Sequence, residues 1–324
     1  MVKSEQVGPI SLRLSVTDQC QLHCIYCAPP DGVEQLSFAE LLSFEEMLSF
    51  VRIVKSRFGL SKVHITGGEP LLRPGVADFV AMVARENVPD MALTTNGQLL
   101  GAIALDLKRA GLPRINISLD SLNSETFRSL TRGGELCDTL AGIEAALESG
   151  LSPVKLNVTV LRNVNSHETV DIARYGLERG CEVRFLELMP IGPAADRFGD
   201  LFMASAEVRT KLGEAFDLKP TPPMYGKSSM DYLARDAQGR KGIIGFISSQ
   251  TAPFCHDCRR LRLTVMGQLI GCLARGEGPD IRPLLRDSDS CDGETLVEAI
   301  HDALRLKRNG GSFRTRELMA RVGG

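Results

Sequence analysis

The chain contains no tryptophan, and aromatic residues make up only 5% of its 324 positions. That leaves too few rings for the stacked platform that grips single-stranded nucleic acid. An excess of either charge is also missing, with 38 Lys and Arg against 40 Asp and Glu. The formal net charge is -2, which argues against a general nucleic-acid or membrane-surface binder but leaves room for one anionic ligand in a local basic pocket. No apolar run approaches the roughly 20 residues of a membrane span. Residues 1–6, Met-Val-Lys-Ser-Glu-Gln, lack the apolar core of a signal peptide, so a cytoplasmic enzyme is expected. Internal repeats and low-complexity tracts are absent as well. The length allows one large α/β domain with an appendage, or two ordinary domains.

What the chain does have is cysteine, nine in all. Without a secretory signal these are expected to be metal ligands or free thiols rather than disulfides. Cys20, Cys24 and Cys27 form a C-x-x-x-C-x-x-C group just after the first strand pattern. Four-iron clusters are normally held by four thiolates, so three leave one iron open to a small molecule. Zinc is the competing reading, but its sites usually show C-x-x-C pairs separated by a longer insert. Cys255, Cys258 and Cys272 form a second group of three. Here a cluster competes with zinc completed by His256 or a distant cysteine, and the adjacent Arg259, Arg260 and Arg262 tip the balance toward a site with an anion over it. Cys137, Cys181 and Cys291 stand alone and read as small buried hydrophobes.

Around these groups the chain alternates strand and helix signals. Strand patterns fall at 11–17, 62–66, 91–95, 114–119, 153–161 and 182–188. Helices are expected from a capping box at Ser43-Phe-Glu-Glu46, over 75–85 and 139–149, and ending near Gly180. Six strands in such alternation predict a parallel sheet with right-handed crossovers, as an open doubly wound sheet or a barrel. Either architecture binds ligands at the carboxyl ends of its strands. The cysteine loop, the Gly67-Gly68-Glu69-Pro70 turn, Thr94, Ser118 and Met189 are therefore expected on one rim, with the second cysteine group facing it. The rhythm breaks after Pro190, which divides a domain over 9–195 from one over 196–324. In the second, 232–248 reads as a hairpin turning at Gln238-Gly239.

Gly67 and Gly68 would let a ligand approach the backbone while Glu69 receives an ammonium, although glycines after a strand are often simply a turn. Arg13 and Lys155 sit in the middle of strand patterns. They are solvated if they face outward; if inward, with Ser15 and Asn157 on the same alternation, they line a basic interior suited to a polyphosphate. Asp120 and Glu187 lie at strand ends and read as structural.

The three-cysteine motif with Tyr26 before its last cysteine, followed by Gly-Gly-Glu-Pro after the second strand, resembles the radical S-adenosylmethionine (SAM) superfamily over about 9–190. The carboxy-terminal cysteines, Arg260-Leu261-Arg262 and the final Gly323-Gly324 narrow the resemblance to the GTP 3',8-cyclase family of molybdenum cofactor biosynthesis. The resemblance implies a partial six-stranded (β/α) TIM-type barrel whose open side is closed by the carboxy-terminal domain. It implies two [4Fe-4S] clusters, one chelating SAM and one binding the guanine of GTP. Tyr26, Gly67, Gly68, Glu69, Ser118 and Met189 would contact SAM. Arg13, His64, Thr94, Lys155, Arg184, Arg260, Leu261 and Arg262 would hold GTP, and Gly323 and Gly324 would reach the active site as a tail. Partners implied are a low-potential donor of the flavodoxin or ferredoxin type and the next enzyme, cyclic pyranopterin monophosphate synthase, with the chain a monomer or homodimer. His64 stands where the family usually has Arg, which points to weaker or more pH-dependent triphosphate binding. The alternative is another radical SAM enzyme with one auxiliary cluster, such as a peptide-modifying one.

Overall fold

The computed structural model describes residues 8–29, 36–37, 40–224, 226–256, 258–286, 293–307 and 319–322. Six parallel strands, β1 Ile10–Ser15, β2 Leu60–Thr66, β3 Met91–Thr95, β4 Arg114–Ser118, β5 Val154–Val160 and β6 Glu182–Glu187, pair in sequence order. Each begins and ends within two residues of its alternating pattern. Between them run α1 Phe44–Phe58, α2 Val76–Arg85, α3 Leu100–Arg109, α4 Ser124–Thr131, α5 Leu136–Glu148 and α6 Thr169–Glu178. Helix α1 starts on the expected capping box: Glu46 N–H donates to Ser43 Oγ (3.1 Å) and Ser43 N–H to Glu46 Oε2 (2.6 Å). Helices α3 and α4 lack a counterpart in the sequence reading. The signal for α4 is Asn123, whose Oδ1 accepts from the N–H groups of Glu125 and Thr126, both at 3.0 Å.

The strands are apolar on the side facing the helices. Leu12, Leu14, Val63, Ile65, Leu156 and Val158 join Met47, Phe50, Val51 and Phe79 in one continuous core. On the other side, alternate positions are polar, and they set the character of the interior.

The carboxy-terminal third adds to the central sheet at both of its edges. Its strands β7 Phe216–Pro220, β8 Met230–Asp236, β9 Lys241–Ile247, β10 Arg260–Leu263 and β11 Leu269–Ile270 extend both edges of the central sheet. β9 runs parallel to β6, and β8 pairs with it as the expected hairpin; β10 runs parallel to β1 and returns through β11. The sheet therefore ends in β11 on one side and β7 on the other, and stays open. Glu187, at the end of β6, binds the two parts together by accepting from the N–H groups of Ser205 (2.9 Å), Gln250 (2.8 Å) and Thr251 (3.0 Å). This is the structural role expected of it. No helix among the described residues is long and apolar enough to cross a membrane.

Candidate active site

A cavity of about 1290 Å³ is lined by residues of β1–β6 and of the flanking strands from both edges. Single-ligand pockets are typically about 300–1,000 Å³, so this one has room for more than one guest. Strand alternation builds the lining. Lys155, Asn157 and Thr159 of β5 face the cavity, while Val154, Leu156, Val158 and Val160 are in the core. Arg13 and Lys155 thus point inward. Ser15 shares Arg13's side but is fully buried, its hydroxyl on Thr17 O (3.4 Å), and does not line the space.

Cys20, Cys24 and Cys27 lie in the loop past the carboxyl end of β1 and line that end of the cavity. The loop is docked onto the turn after β2, where Gly68 N–H donates to Thr17 O (2.8 Å) and Glu69 N–H to Gln19 O (2.7 Å). A Cβ on Gly67 would lie 2.6 Å from Thr17 O, and one on Gly68 would lie 2.4 Å from Gln19 O. The close approach these glycines permit is therefore to the cysteine loop itself. Glu69 departs from its expected place: it is fully buried and off the cavity lining. Its Oε1 accepts from Leu71 N–H (3.0 Å) and Thr95 Oγ1 (2.7 Å), and its Oε2 from Asn96 N–H (2.7 Å), while burial pushes its carboxyl up to about 7. The turn folds the side chain beneath the floor, where it cross-links β2 to β3. Tyr26 lines the cavity with its hydroxyl on Asp120, whose other oxygen accepts from Thr159 N–H (2.7 Å). Asp120 thereby fixes the aromatic ring beside the cysteines.

Across the middle, Arg184 donates to Asn116 Oδ1 (2.7 Å), Asn116 Nδ2 donates to Thr94 Oγ1 (3.1 Å), and Thr94 Oγ1 meets His64 Nε2 (2.6 Å). His64 pairs in register with Arg13. Burial first, then the charges of Arg13, Lys62, Arg114 and Arg184, hold its imidazole well below the usual histidine range. His64 is therefore neutral across the physiological range, which removes it as a source of pH dependence. Asn157 Oδ1 and Arg184 Nε are buried without a hydrogen-bond partner. Each such atom costs about 1–3 kcal/mol, so the middle of the cavity is built to receive a polar guest.

The second cysteine group is not on the rim of the first. β10 is parallel to β1, with Ser11 opposite Arg260, so Cys255 and Cys258 precede the amino end of that edge; Cys272 follows β11, which runs back to the same end. Six residues of β1 at roughly 3.3 Å each put about 20 Å of strand between the groups. Lys62 and Arg114, both on Asp90 (3.7 and 2.7 Å), and Lys155 on Glu182 surround this amino end. Arg260 and Arg262 face the cavity, whereas Leu261 is fully buried in the core and off the lining, as alternation along β10 dictates.

Both groups fit iron-sulfur clusters by their donors. All six cysteines are free thiols; after burial, the charges of Cys27 and Cys20 raise Cys24, that of Cys20 raises Cys27, and those of Cys272 and Cys258 raise Cys255. Burial pushes Cys20 up to about 11 and Cys27 up to about 12, so these thiols ionise only against a strong cation. At Cys258 burial works in the same direction, but Lys307 and Arg260 outweigh it and hold the thiol below its usual range. Among the described residues no three or more His, Cys, Asp or Glu are gathered so as to hold a single metal ion, and His256 does not line the cavity.

Gly67, Gly68, Ser118 and Met189 line the carboxyl end with Tyr26, and Thr94 and Arg184 line the middle. Gly323, Gly324 and Cys291 lie outside the described residues. Cys181 is buried as expected, whereas Cys137 is exposed on the helix surface and departs from the buried hydrophobe expected of it. Sequence reading missed Lys62, Arg114 and Asn116, which alternation on β2 and β4 places on the same inward side as His64 and Ser118. It also missed Lys307, for which the sequence holds no signal.

The model of the Radical SAM superfamily matches residues 14–176, and the model Molybdenum Cofactor Synthesis C matches 181–313. A protein of Geobacter sulfurreducens named GTP 3',8-cyclase is 41% identical over 97% of this chain and 96% of its own. One of the same name from Desulforamulus reducens is 42% identical over 97% of each. Among solved structures, Streptococcus suis SuiB bound to S-adenosylmethionine superposes with a TM-score of 0.61 at 14% identity, covering 83% of this chain and 61% of that one. This last likeness concerns the fold alone.

Proposed function

The chain belongs to the GTP 3',8-cyclase family of the radical SAM superfamily, and from that premise we propose that it converts GTP to (8S)-3',8-cyclo-7,8-dihydroguanosine 5'-triphosphate in molybdenum cofactor biosynthesis. One observation carries the reading: two three-cysteine groups stand at opposite ends of a single cation-lined cavity. The peptide-modifying alternative has no such support from the relatives.

Cys20, Cys24 and Cys27 would hold the cluster that binds SAM, and Cys255, Cys258 and Cys272 the cluster that meets the guanine. When bound, the first cluster with SAM supplies a 5'-deoxyadenosyl radical that takes the 3' hydrogen of GTP. Tyr26, Gly67, Gly68, Ser118 and Met189 bound the SAM end. Thr94, Asn157 and Arg184 sit between the ends, where a ribose must lie if the base is at one end and SAM at the other. Arg13, Lys62, Lys155, Arg260 and Arg262 offset the charge of the triphosphate in a buried space where charge pairs are strong. Enclosure by both sheet edges keeps water and stray hydrogen donors from the radical. Gly323 and Gly324 as a tail, an electron donor of the flavodoxin or ferredoxin type, and hand-over to cyclic pyranopterin monophosphate synthase complete the proposal.

Anaerobic incubation with SAM, GTP and a reductant should release 5'-deoxyadenosine only when GTP is present, from protein carrying about eight irons per chain. Release independent of GTP would remove GTP as the substrate, and stoichiometric zinc without iron would remove the enzyme reading altogether.

His64→Arg should leave GTP binding unchanged or tighter, measured by calorimetry. The empty protein should melt at a lower temperature, because a guanidinium adds one more buried cation beside Arg13, Lys62, Arg114 and Arg184. A clear loss of GTP binding would show that the imidazole has a role of its own.

A further inference from the structure

At the amino end of the sheet, Lys307 Nζ lies 3.5 Å from Cys258 Sγ and 3.3 Å from Cys258 O. It reaches the site from just beyond a helix over Gly293–Arg305, whose Leu296, Ile300 and Ala303 are buried. The segment carrying the third cysteine rests on that same helix: a Cβ on Gly271 would lie 1.7 Å from Ala303 O. Cys258, Cys272 and Lys307 are thus locked together by packing that brings in residues far apart in sequence. Arg260 also acts on Cys258 by its charge, with its guanidinium over the Phe254 ring (4.3 Å to its centroid), and Arg262 donates to Val322 O (3.1 Å), whereas the Lys307 side chain reaches both the sulfur and the carbonyl of Cys258.

We infer that Lys307 is a positioning residue for the carboxy-terminal cluster, gripping Cys258 by sulfur and carbonyl and raising the cluster's reduction potential with its charge. The inference rests on the reading that Cys255, Cys258 and Cys272 hold a four-iron cluster. Potentials of such clusters follow net charge and hydrogen bonds to the sulfurs. An added electron is stabilised by a fixed cation nearby, and more strongly in a buried space. Gripping the carbonyl as well restrains the backbone of Cys258, so the lysine also acts on geometry.

The test uses the full chain with Cys20, Cys24 and Cys27 changed to Ala, so that one cluster remains, reconstituted anaerobically and titrated with EPR detection. Lys307→Met should lower the reduced-to-oxidised ratio at fixed poise about tenfold, which is about 59 mV for a one-electron couple. Lys307→Arg, which keeps the charge, should stay near the parent. Loss of iron in the Met variant that Arg restores also supports the inference. An unchanged potential in a Met variant with full iron overturns it, as does equal loss of iron in both variants or weakened GTP binding at unchanged potential. If the parent itself binds no iron, the cluster reading fails, and that failure is visible before any lysine variant is compared.

Discussion

Gly68→Ala is expected to strip the first cluster from the protein and spare the second. The new Cβ would sit 2.4 Å from Gln19 O and 3.0 Å from Asp18 O, both backbone atoms that no side-chain rotation can move aside. The loop must back away, at a cost of about 1–3 kcal/mol for overpacking. It would also lose two bonds, Gly68 N–H to Thr17 O and Glu69 N–H to Gln19 O, worth about 1 kcal/mol each. Cys20 follows Gln19 directly, so the displacement falls on a ligand. Iron should drop from about eight to about four per chain, with GTP-dependent release of 5'-deoxyadenosine abolished and GTP binding retained at the far end. Gly101→Ala, in α3, is the control: its Cβ would meet nothing within 4 Å, and both iron and turnover should be unaffected. Full iron and normal turnover in Gly68→Ala would mean that the loop is not held by this contact.

Much of this was legible because strand alternation is a local property. Lys155 and Asn157 face the cavity for the same reason that Leu156 and Val158 face the helices, and the β1–β6 boundaries followed from the same pattern. Leu261 shows the cost of reading a motif as a block. The resemblance carries it over with Arg260 and Arg262 as one motif, yet a strand sends neighbours to opposite faces. The sequence could not say that β10 pairs parallel to β1, since partner choice depends on contacts between residues some 250 apart. For that reason the sequence places the second cysteine group facing the first without saying that it sits at the amino end of the sheet. Glu69 illustrates a different limit. A carboxylate after a glycine turn suits a ligand ammonium and a buried cross-link equally well, and only the three donors around it decide between them in this structure.

Binding of GTP above neutral pH should take up protons, largely through Lys62. Burial, followed by the charge of Arg114, lowers the Lys62 ammonium to about 7 in the empty cavity, and Asp90 only partly opposes the shift. A triphosphate beside it restores the charged form and moves the pKa back up toward the ordinary lysine range. Below about pH 6 the group is charged in both states and nothing is exchanged. From about pH 7 upward the empty protein must gain a proton to bind, so affinity falls by as much as tenfold per pH unit until the bound-state pKa is reached. Lys155 is lowered in the same direction, by burial and against its pairing with Glu182, and should add to the uptake. His64 should not, because its imidazole starts well below the ordinary histidine range and even a return to that range would leave it neutral in this window. Calorimetry at pH 8 in two buffers of different ionisation enthalpy counts the protons directly: Lys62→Gln should remove most of the uptake and flatten the affinity between pH 7 and 9. Equal uptake in the variant and the parent would place the titrating group elsewhere in the cavity and separate Lys62 from the triphosphate.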